Sequence, residues 1–282
     1  MGQANKKIFW ISSYPKSGNT WLRAIITSLF FTNDGKFFFE ILKHISNFEI
    51  KKNYEFVKSL NFEDYMKLNK LNIISKYWLE AQNKLDNNIE FNFFKTHSAN
   101  ISYNENNFTN TNNAKGLIYI LRDPRDIALS YSKHLGKDLD QIIDFMIDES
   151  SIIRTSDGYP SFISRWDYNY LSWKNIKIPK LFIKYEDMLD NNEKIIKKII
   201  CFFEENYNYK FYNVEKKIKN ILLTTNFEKL QENEKKYGFI EAEHNLFFNQ
   251  GKKGQWLKSL TLAQKNKIES TFINTMKDLN YL

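Results

Sequence analysis

The chain has 282 residues, of which 42% are hydrophobic and 26% are charged, and its formal net charge is +8. This length buries a large core, and no run approaches the roughly 18 apolar residues that a membrane span needs. The lysines that carry the positive charge are interleaved with Glu and Asp, as on solvated helix faces. A small anionic ligand is therefore favoured over a nucleic acid.

Four short apolar runs predict strands, and the longer segments between or after them predict helices. The predicted strands are residues 7–13, 90–96, 116–122 and 180–186. The predicted helices are residues 19–31, about 62–85, 124–135, 138–149, 161–175 and 190–204. The polar segment 102–116 predicts a surface loop, and residues 205–260 are only weakly periodic.

Continuous rather than alternating hydrophobicity in these strands is typical of a parallel sheet covered on both faces. No internal repeat, linker or composition break marks a boundary. We therefore predict one α/β domain over residues 1–282, with three α/β/α layers and a central parallel sheet.

The amino-terminal residues have no apolar segment after their lysines, so we expect no signal peptide and a cytoplasmic protein. The single cysteine, Cys201, excludes an internal disulfide, and its apolar neighbours predict that it packs in the core. No zinc site is expected, because the histidines lack ligand-like spacing. These histidines are His44, His97, His134 and His244.

Polar clusters stand at the ends of all four predicted strands. They read SSYPKSGNT, KTH, RDPRD and YED, in chain order. In sheets of this kind, ligands bind outside the carboxyl ends of the strands. We therefore predict that the four clusters converge on one edge of the sheet.

The segment YPKSGNTW, residues 14–21, predicts an anion-binding loop between a strand and a helix. Gly18 permits close approach to a phosphate, the next helix presents its first N–H groups, and Thr20 adds a hydroxyl. A nucleoside-triphosphate loop has lysine where Asn19 stands. The lysine of this loop, Lys16, lies earlier, and we predict that it points toward a group leaving from the 5′ end of a nucleotide.

YPKSGNTW closely resembles the 5′-phosphosulfate loop of the cytosolic-type sulfotransferases. These enzymes transfer a sulfuryl group from 3′-phosphoadenosine 5′-phosphosulfate (PAPS) to a hydroxyl or amine, leaving adenosine 3′,5′-bisphosphate (PAP), without a metal. The resemblance implies that Lys16 meets the oxygen bridging phosphate and sulfate, and that Trp21 stacks on the adenine. It also implies that the 5′-phosphate is held by Ser17, Gly18, Asn19 and Thr20.

The segment ILRDPRDIALSYSKH, residues 120–134, is similar to the family's 3′-phosphate segment. The resemblance implies that Arg122 and Ser130 bind the 3′-phosphate. A guanidinium at a strand end and a hydroxyl two turns into the next helix suit an anion. Asp126 is predicted to cap that helix.

The segment FFKTHSAN, residues 93–100, resembles the family's K-T-H at a strand end. The resemblance implies that His97 is the general base that takes the acceptor's proton. It also implies that Lys95 stabilises charge on the transferring sulfate. An imidazole with a pKa of about 6.5 suits proton removal at neutral pH.

Two further segments match more loosely. LFIKYEDML is similar to the family's strand ending in Y-E-D, which implies that Tyr185 lies near the adenine. TTNFEKL, residues 224–230, resembles T-S-F-x-x-M and places Thr225 and Phe227 by the base. Both segments are equally compatible with purely structural roles, as a strand end with a capping carboxylate and as an amphipathic turn.

The segment FFNQGKKGQWLKSLT, residues 247–261, resembles the family's R-K-G-x-x-G-D-W-K. Asn249 and Gln250 replace the Arg–Lys pair, and Gln255 replaces Asp. We expect Lys252 and Lys253 to restore the missing charge near the cofactor. The segment KSLTLAQKNK does not meet the family's dimer motif, so dimerisation by that route is not predicted. The positions that keep the family's frame are Gly251, Gly254, Trp256 and Thr261.

The sequence thus predicts a fold related to P-loop kinases and a PAPS-dependent sulfotransferase acting on a small molecule. The acceptor stays open among phenols, alcohols, amines, sugars and lipid head groups. One alternative is a nucleotide kinase or phosphotransferase, which Asn19 disfavours. The other is a non-catalytic protein that binds PAPS or a nucleic acid, which would leave Lys16, Lys95 and His97 without a purpose.

Overall fold

The computed structural model describes residues 8–57, 71–85, 89–154, 158–239, 241–242, 246–248 and 251–282. His244, Asn249, Gln250 and the first part of the predicted helix 62–85 lie outside these ranges. Two compact units divide the chain. The first unit comprises Met1–Tyr14, Ser46–Tyr119 and Met146–Lys180. The second comprises Pro15–Ile45, Ile120–Phe145 and Leu181–Leu282.

One sheet has five strands, which are β1 (Ile8–Ser13), β2 (Ser46–Asn47), β3 (Asn92–Thr96), β6 (Ala114–Leu121) and β9 (Lys180–Lys184). Their order in the sheet is β2-β3-β1-β6-β9. Strand β3 pairs in parallel with both β1 and β2. Two antiparallel pairs stand apart from this sheet: β4 (Ser102–Tyr103) with β5 (Asn106–Asn107), and β7 (Ile152–Ile153) with β8 (Ser161–Phe162).

The predicted α/β class with a central parallel sheet is confirmed. Strand β1 shows why the hydrophobicity pattern succeeded, because every one of its six residues is buried. A strand covered on both faces has no solvent side, so its sequence does not alternate. That residues 1–282 form one domain stays a prediction.

The core of the first unit is aromatic. Trp10 on β1 packs against Phe48, Phe108 and Trp173, with ring centroids 5.2, 5.4 and 5.8 Å away. The burial of Phe108 corrects the prediction of a surface loop over 102–116. This segment forms β4, β5 and the start of β6, and its single phenylalanine inserts into the core.

The described helices of the first unit are short, and one further helix is shared. They are α2 (Leu71–Ile74), α3 (Trp78–Asn83) and α6 (Trp166–Lys174), with 3₁₀ turns at Lys51–Tyr54 and Ser75–Tyr77. Helix α5 (Leu139–Ile147) passes from the second unit to the first. The predicted helix 161–175 began too early, because Ser161 and Phe162 pair with β7 instead.

The second unit contains most of the described helices. They are α1 (Asn19–Phe31), α4 (Pro124–Leu135), α7 (Tyr185–Asp190), α8 (Asn192–Tyr207), α9 (Val214–Thr224), α10 (Phe227–Tyr237), α11 (Trp256–Ser259), α12 (Leu262–Thr271) and α13 (Ile273–Asp278). A 3₁₀ turn covers Phe39–His44. The bounds predicted for α1 and α4 agree residue for residue, whereas α7 and the five helices from α9 to α13 were not predicted.

Two local predictions in this unit were wrong. The cap of α4 is Asp123, whose side chain accepts from the Arg125 amide at 2.9 Å, and not Asp126. Pro124 explains this start, since proline favours the first helical position. Cys201 on α8 is exposed, because the apolar face of that helix runs through its neighbours in the 3.6-residue period. Among the described residues, no helix has the length and apolarity that crossing a bilayer requires.

Candidate active site

The loop that precedes α1 has the backbone of an anion cradle. Lys16 and Gly18 both adopt left-handed conformations, with φ of 64° and 96°. A Cβ on Gly18 would lie 2.6 Å from Cδ2 of Tyr185, so glycine is required by both backbone and space. The first turn of α1 has no acidic residue to oppose an anion at its N–H groups.

Buried polar atoms of this loop lack hydrogen-bond partners among the described residues. Ser17 is 1% exposed and its Oγ is such an atom, as is Nε1 of Trp21. A buried polar atom of this kind carries a desolvation penalty that a bound group relieves. The unpartnered hydroxyl and the helix N-terminus are both suited to donating to a phosphate.

Arg122 joins two of the segments predicted to hold the cofactor. Its Nη1 donates to the Lys16 carbonyl at 3.0 Å, and its Nη2 donates to the Lys252 carbonyl at 3.2 Å. Its guanidinium lies 4.4 Å from the ring centroid of Tyr185. Among the described residues, its buried Nε has no partner, so one N–H of this cation is left for another acceptor.

The aromatic residues predicted around the adenine also lie in the second unit. Trp21 and Tyr185 pack edge to face with centroids 5.9 Å apart, and burial raises the pKa of the Tyr185 phenol. A Cβ on Gly251 would lie 2.4 Å from the Phe227 ring. Thr225 is fully buried, and its hydroxyl donates to the Ile221 carbonyl, which gives it a helix-terminal role here.

Asp126 is the residue that holds the glycine loop in place. Its carboxylate accepts from the amides of Gly254 at 2.7 Å and Trp256 at 3.1 Å. This contact explains why Asp126 is buried without capping α4. The Lys253 ammonium on the same loop pairs with the Asp190 carboxylate, whereas the Lys252 side chain is exposed.

The sequence analysis did not identify Glu241, which contacts the amino-terminal turn of α1. Its Oε2 accepts from the Thr20 hydroxyl at 3.0 Å, and its Oε1 accepts from Nη1 of the buried Arg23 at 2.6 Å. The segment 230–247 matches no motif, so nothing in the sequence pointed to this carboxylate. It places a negative charge beside a hydroxyl that is predicted to bind phosphate.

The first unit contains His97, just after β3. Nδ1 of the ring lies 2.8 Å from the Ser13 carbonyl and 3.2 Å from the Ser13 hydroxyl. Because a carbonyl only accepts, Nδ1 carries the proton in the neutral ring and Nε2 carries the lone pair. The buried Asn169 amide donates to the His97 carbonyl at 2.9 Å and fixes the backbone as well.

Glu49 is a second residue that the sequence did not reveal. Glu49 is 1% exposed, and its Oε1 accepts from the hydroxyls of Thr96 and Ser98, both at 2.6 Å. Burial raises the pKa of Glu49, and these hydrogen bonds oppose part of that shift. The carboxyl thus fixes the residues on either side of His97. Lys95, two residues before His97, is half-buried on β3.

The predicted site residues divide between the two units. The second unit contains those assigned to the cofactor and also Lys16, whereas the first contains His97 and Lys95. Ser130 is half-buried on α4. The described cofactor residues are Lys16, Ser17, Gly18, Asn19, Thr20, Trp21, Arg122, Ser130, Tyr185, Thr225, Phe227, Gly251, Lys252, Lys253 and Gly254.

Comparison with known protein families gives a match over almost the whole chain. The model of the sulfotransferase domain matches residues 6–280. The chain belongs to the sulfotransferase domain family. Membership agrees with the resemblance carried by the YPKSGNTW loop, the Arg122 segment and the K-T-H segment.

Curated sulfotransferases from plants and animals resemble the chain at low identity. Flavonol 3-sulfotransferase of Flaveria bidentis is 26% identical over 285 residues, covering 95% of this chain and 81% of the relative. Sulfotransferase 1B1 of Canis lupus familiaris is 26% identical over 275 residues, covering 94% and 82%. Cytosolic sulfotransferase 16 of Arabidopsis thaliana is 25% identical over 296 residues, covering 99% and 79%.

Two solved structures share the fold of this chain. Mouse sulfotransferase SULT7A1 complexed with PAP has a TM-score of 0.63 and 22% identity, covering 98% of this chain and 86% of that one. Retinol dehydratase in complex with androsterone and PAP has a TM-score of 0.62 and 19% identity, covering 99% and 82%. At these identities the likeness establishes the fold.

Proposed function

We propose that this sulfotransferase moves a sulfuryl group from PAPS to a hydroxyl or amine of a small-molecule acceptor and releases PAP. The observation that carries the proposal is the loop before α1. It sets Lys16 in a left-handed conformation ahead of a helix N-terminus, with Asn19 where a triphosphate-binding loop has lysine. That substitution also disfavours the kinase alternative.

The residues of the site fit a nucleotide that carries one phosphate at the 5′ position and another at the 3′ position. Ser17 Oγ and Arg122 Nε are buried donors without partners among the described residues, as phosphate binding requires. Gly18 and Gly251 are positions where a Cβ would collide with Tyr185 and Phe227. When bound, PAPS would supply the transferable sulfuryl group, held by the fifteen cofactor residues named above.

The role of His97 follows from its tautomer. With Nδ1–H directed to the Ser13 carbonyl, Nε2 accepts the proton of the acceptor hydroxyl or amine. The Asn169 and Glu49 contacts hold the surrounding backbone and so limit the orientations of the ring. Lys95 supplies a positive charge two residues away in sequence, which supports its role in stabilising the transferring sulfate.

The role of Lys16 is electrostatic. We assign its ammonium to neutralising the negative charge that develops on the leaving phosphate. A preorganised cation contributes most where charge grows in the transition state. Its loop backbone is held by Arg122, which donates to the Lys16 carbonyl.

The finer points of partner and location are also proposals. We propose a cytoplasmic enzyme with no nucleic-acid partner, supported by the relative that is named cytosolic and by the interleaved charges of the chain. Cell fractionation and a gel-shift assay test these two points directly.

Transfer of radiolabelled sulfate from PAPS to pools of phenols, alcohols, amines, sugars and lipids tests the function. Lys16→Ala should lower kcat by about a hundredfold or more, the scale for one preorganised contact. His97→Ala should lower it by roughly a hundred- to ten-thousandfold, most for alcohols of high pKa. The matched controls are the variants Lys210→Ala and His44→Ala, which change exposed residues and should keep wild-type rates.

Two outcomes would count against the proposal. Near-wild-type turnover of Lys16→Ala would remove this lysine from the mechanism. Binding of ADP with magnesium, together with no binding of PAP and no labelled product from any pool, would favour the kinase alternative.

A further inference from the structure

The ammonium of Lys16 lies over an aromatic ring in the second unit. Its Nζ is 4.3 Å from the ring centroid of Phe247. This distance is well inside the roughly 6 Å over which an aromatic face attracts a cation. Nothing in the resemblance or in the proposed mechanism assigns a role to Phe247.

The backbone that carries this ring is fixed by a buried carboxylate. Glu234 on α10 is 3% exposed, and its two oxygens accept from the amides of Phe247 at 2.6 Å and Phe248 at 2.9 Å. One turn earlier, the Gln231 side chain donates to the Phe248 carbonyl at 2.7 Å. Helix α10 therefore sets the position of the Phe247 ring through three hydrogen bonds.

The backbone of Lys16 is held in place as well as its ammonium group. Its left-handed φ of 64° and the hydrogen bond from Arg122 to its carbonyl hold the backbone. A lysine side chain has much rotamer freedom beyond Cα, and this freedom is costly to lose during catalysis. Contact with Phe247 limits that freedom at the ammonium itself.

An aromatic partner differs from an acidic one in a way that matters for catalysis. The ring quadrupole attracts the ammonium but carries no formal charge, so this contact does not itself cancel the positive charge of Lys16. Lys253 shows the contrast, because it pairs with the carboxylate of Asp190. A lysine that must stabilise a developing anion benefits from the first kind of partner.

We propose that Phe247 is a positioning residue that holds Lys16 in its working orientation, and that Glu234 is the anchor that holds Phe247. The inference rests on the proposed function, in which Lys16 acts on the leaving phosphate. It adds that the orientation is present before the cofactor binds.

A double-mutant cycle on kcat tests the coupling. Phe247→Leu, which removes the aromatic face and keeps apolar volume, should lower kcat by about two- to thirtyfold, the range of a cation–π contact. The KM for PAPS should change little, since the contact serves the leaving group. In a Lys16→Ala background the same change should have no further effect, and Phe247→Tyr should keep the wild-type rate.

The matched control is Phe239→Leu. Phe239 packs against Phe247 with centroids 5.1 Å apart, so it belongs to the same aromatic cluster. Phe239→Leu perturbs the packing of this cluster, and any effect that it has on kcat should be the same in the wild-type and the Lys16→Ala backgrounds. Thermal unfolding of every variant checks that the fold is kept.

A measurement without turnover tests the geometry directly. Lysine labelled with ¹³C at Cε gives a Lys16 resonance that is identified by its loss in Lys16→Ala. In the unliganded protein the Phe247 ring current should shift this resonance upfield. Phe247→Leu should abolish the shift, Phe247→Tyr should restore it, and Glu234→Gln should reduce it, because the amide offers one acceptor in place of two.

Two results would overturn the inference. One is an equal loss of kcat from Phe247→Leu with and without Lys16, which would mean general packing. The other is a Lys16 resonance that Phe247→Leu leaves unmoved. If instead Lys16→Ala itself keeps full turnover while the resonance still responds to Phe247, the proposed role of Lys16 fails and the contact stands.

Discussion

Replacing Glu49 with Gln should make the stability of the protein less dependent on pH. Burial raises the pKa of this carboxyl above its ordinary value near 4.5. The folded protein therefore binds the proton more tightly than the unfolded chain does. The stability that this carboxyl contributes is fully present below its unfolded pKa and is lost as pH rises through its folded pKa.

The size of the effect follows from the contacts of the two carboxyl oxygens. Each unit by which the folded pKa exceeds the unfolded one lowers the free energy of unfolding by about 1.4 kcal/mol above both values. Gln keeps an Oε1 that accepts from Thr96 and Ser98. Its amide nitrogen replaces Oε2, which has no hydrogen-bond partner among the described residues, at a pH-independent cost of about 1–3 kcal/mol.

Urea unfolding of both proteins between pH 5 and pH 8 measures this directly, at pH values chosen to span roughly the range in which a buried carboxyl titrates. Glu49→Gln should be the less stable protein at the acidic end, and the difference should shrink or reverse as pH rises. A difference that stays constant across the range would refute the reasoning. So would a difference that grows with pH, because Glu49 would then be stabilised as the anion.

Four further changes act on the cofactor segments, and each is measured by calorimetric binding of PAP or by the KM for PAPS. Asp126→Asn loses one of its two amide contacts and should weaken PAP binding about tenfold, with little change in unfolding temperature. Lys253→Ala should raise the KM for PAPS by less than about fivefold, because its ammonium is already paired. Lys252→Ala should raise it about tenfold, the value of one charge-assisted contact, and should leave the binding of adenosine 5′-phosphosulfate unchanged. Gly18→Ala should abolish PAP binding, since a Cβ at φ 96° would stand 2.6 Å from Tyr185.

The sequence predicted elements best where a local signal sets their ends. Helix α1 starts after Gly18, which is in the left-handed region, and α4 starts at Pro124, a residue that favours the first turn. The surface-loop prediction for residues 102–116 was wrong because it was based on the polar composition of the segment and disregarded its one aromatic residue. Phe108 is fully buried, and its environment is built by residues far away in the chain.

The site was predicted where motifs carry it and missed where distant residues support it. Glu49 meets Thr96 across 47 positions, Asn169 meets His97 across 72, and Glu241 reaches Thr20 across 221. No periodicity or spacing encodes such contacts. Motifs identify the side chains that bind a ligand. The side chains that orient them come from distant parts of the sequence, and only the tertiary fold brings them into contact.

Four cationic side chains of the second unit contact protein partners. Arg23 pairs with Glu241, Lys253 pairs with Asp190, Lys16 lies over Phe247, and Arg122 donates to two carbonyls. Binding a nucleotide with two phosphates is then partly an exchange of partners. The two ion pairs must loosen for Arg23 and Lys253 to contribute, whereas the Arg122 guanidinium donates only to neutral carbonyls among the described residues and keeps its full charge. It follows that Arg122 contributes more to the electrostatic attraction than Arg23 or Lys253 does, and that the net charge of +8 overstates the force with which this chain draws in its cofactor.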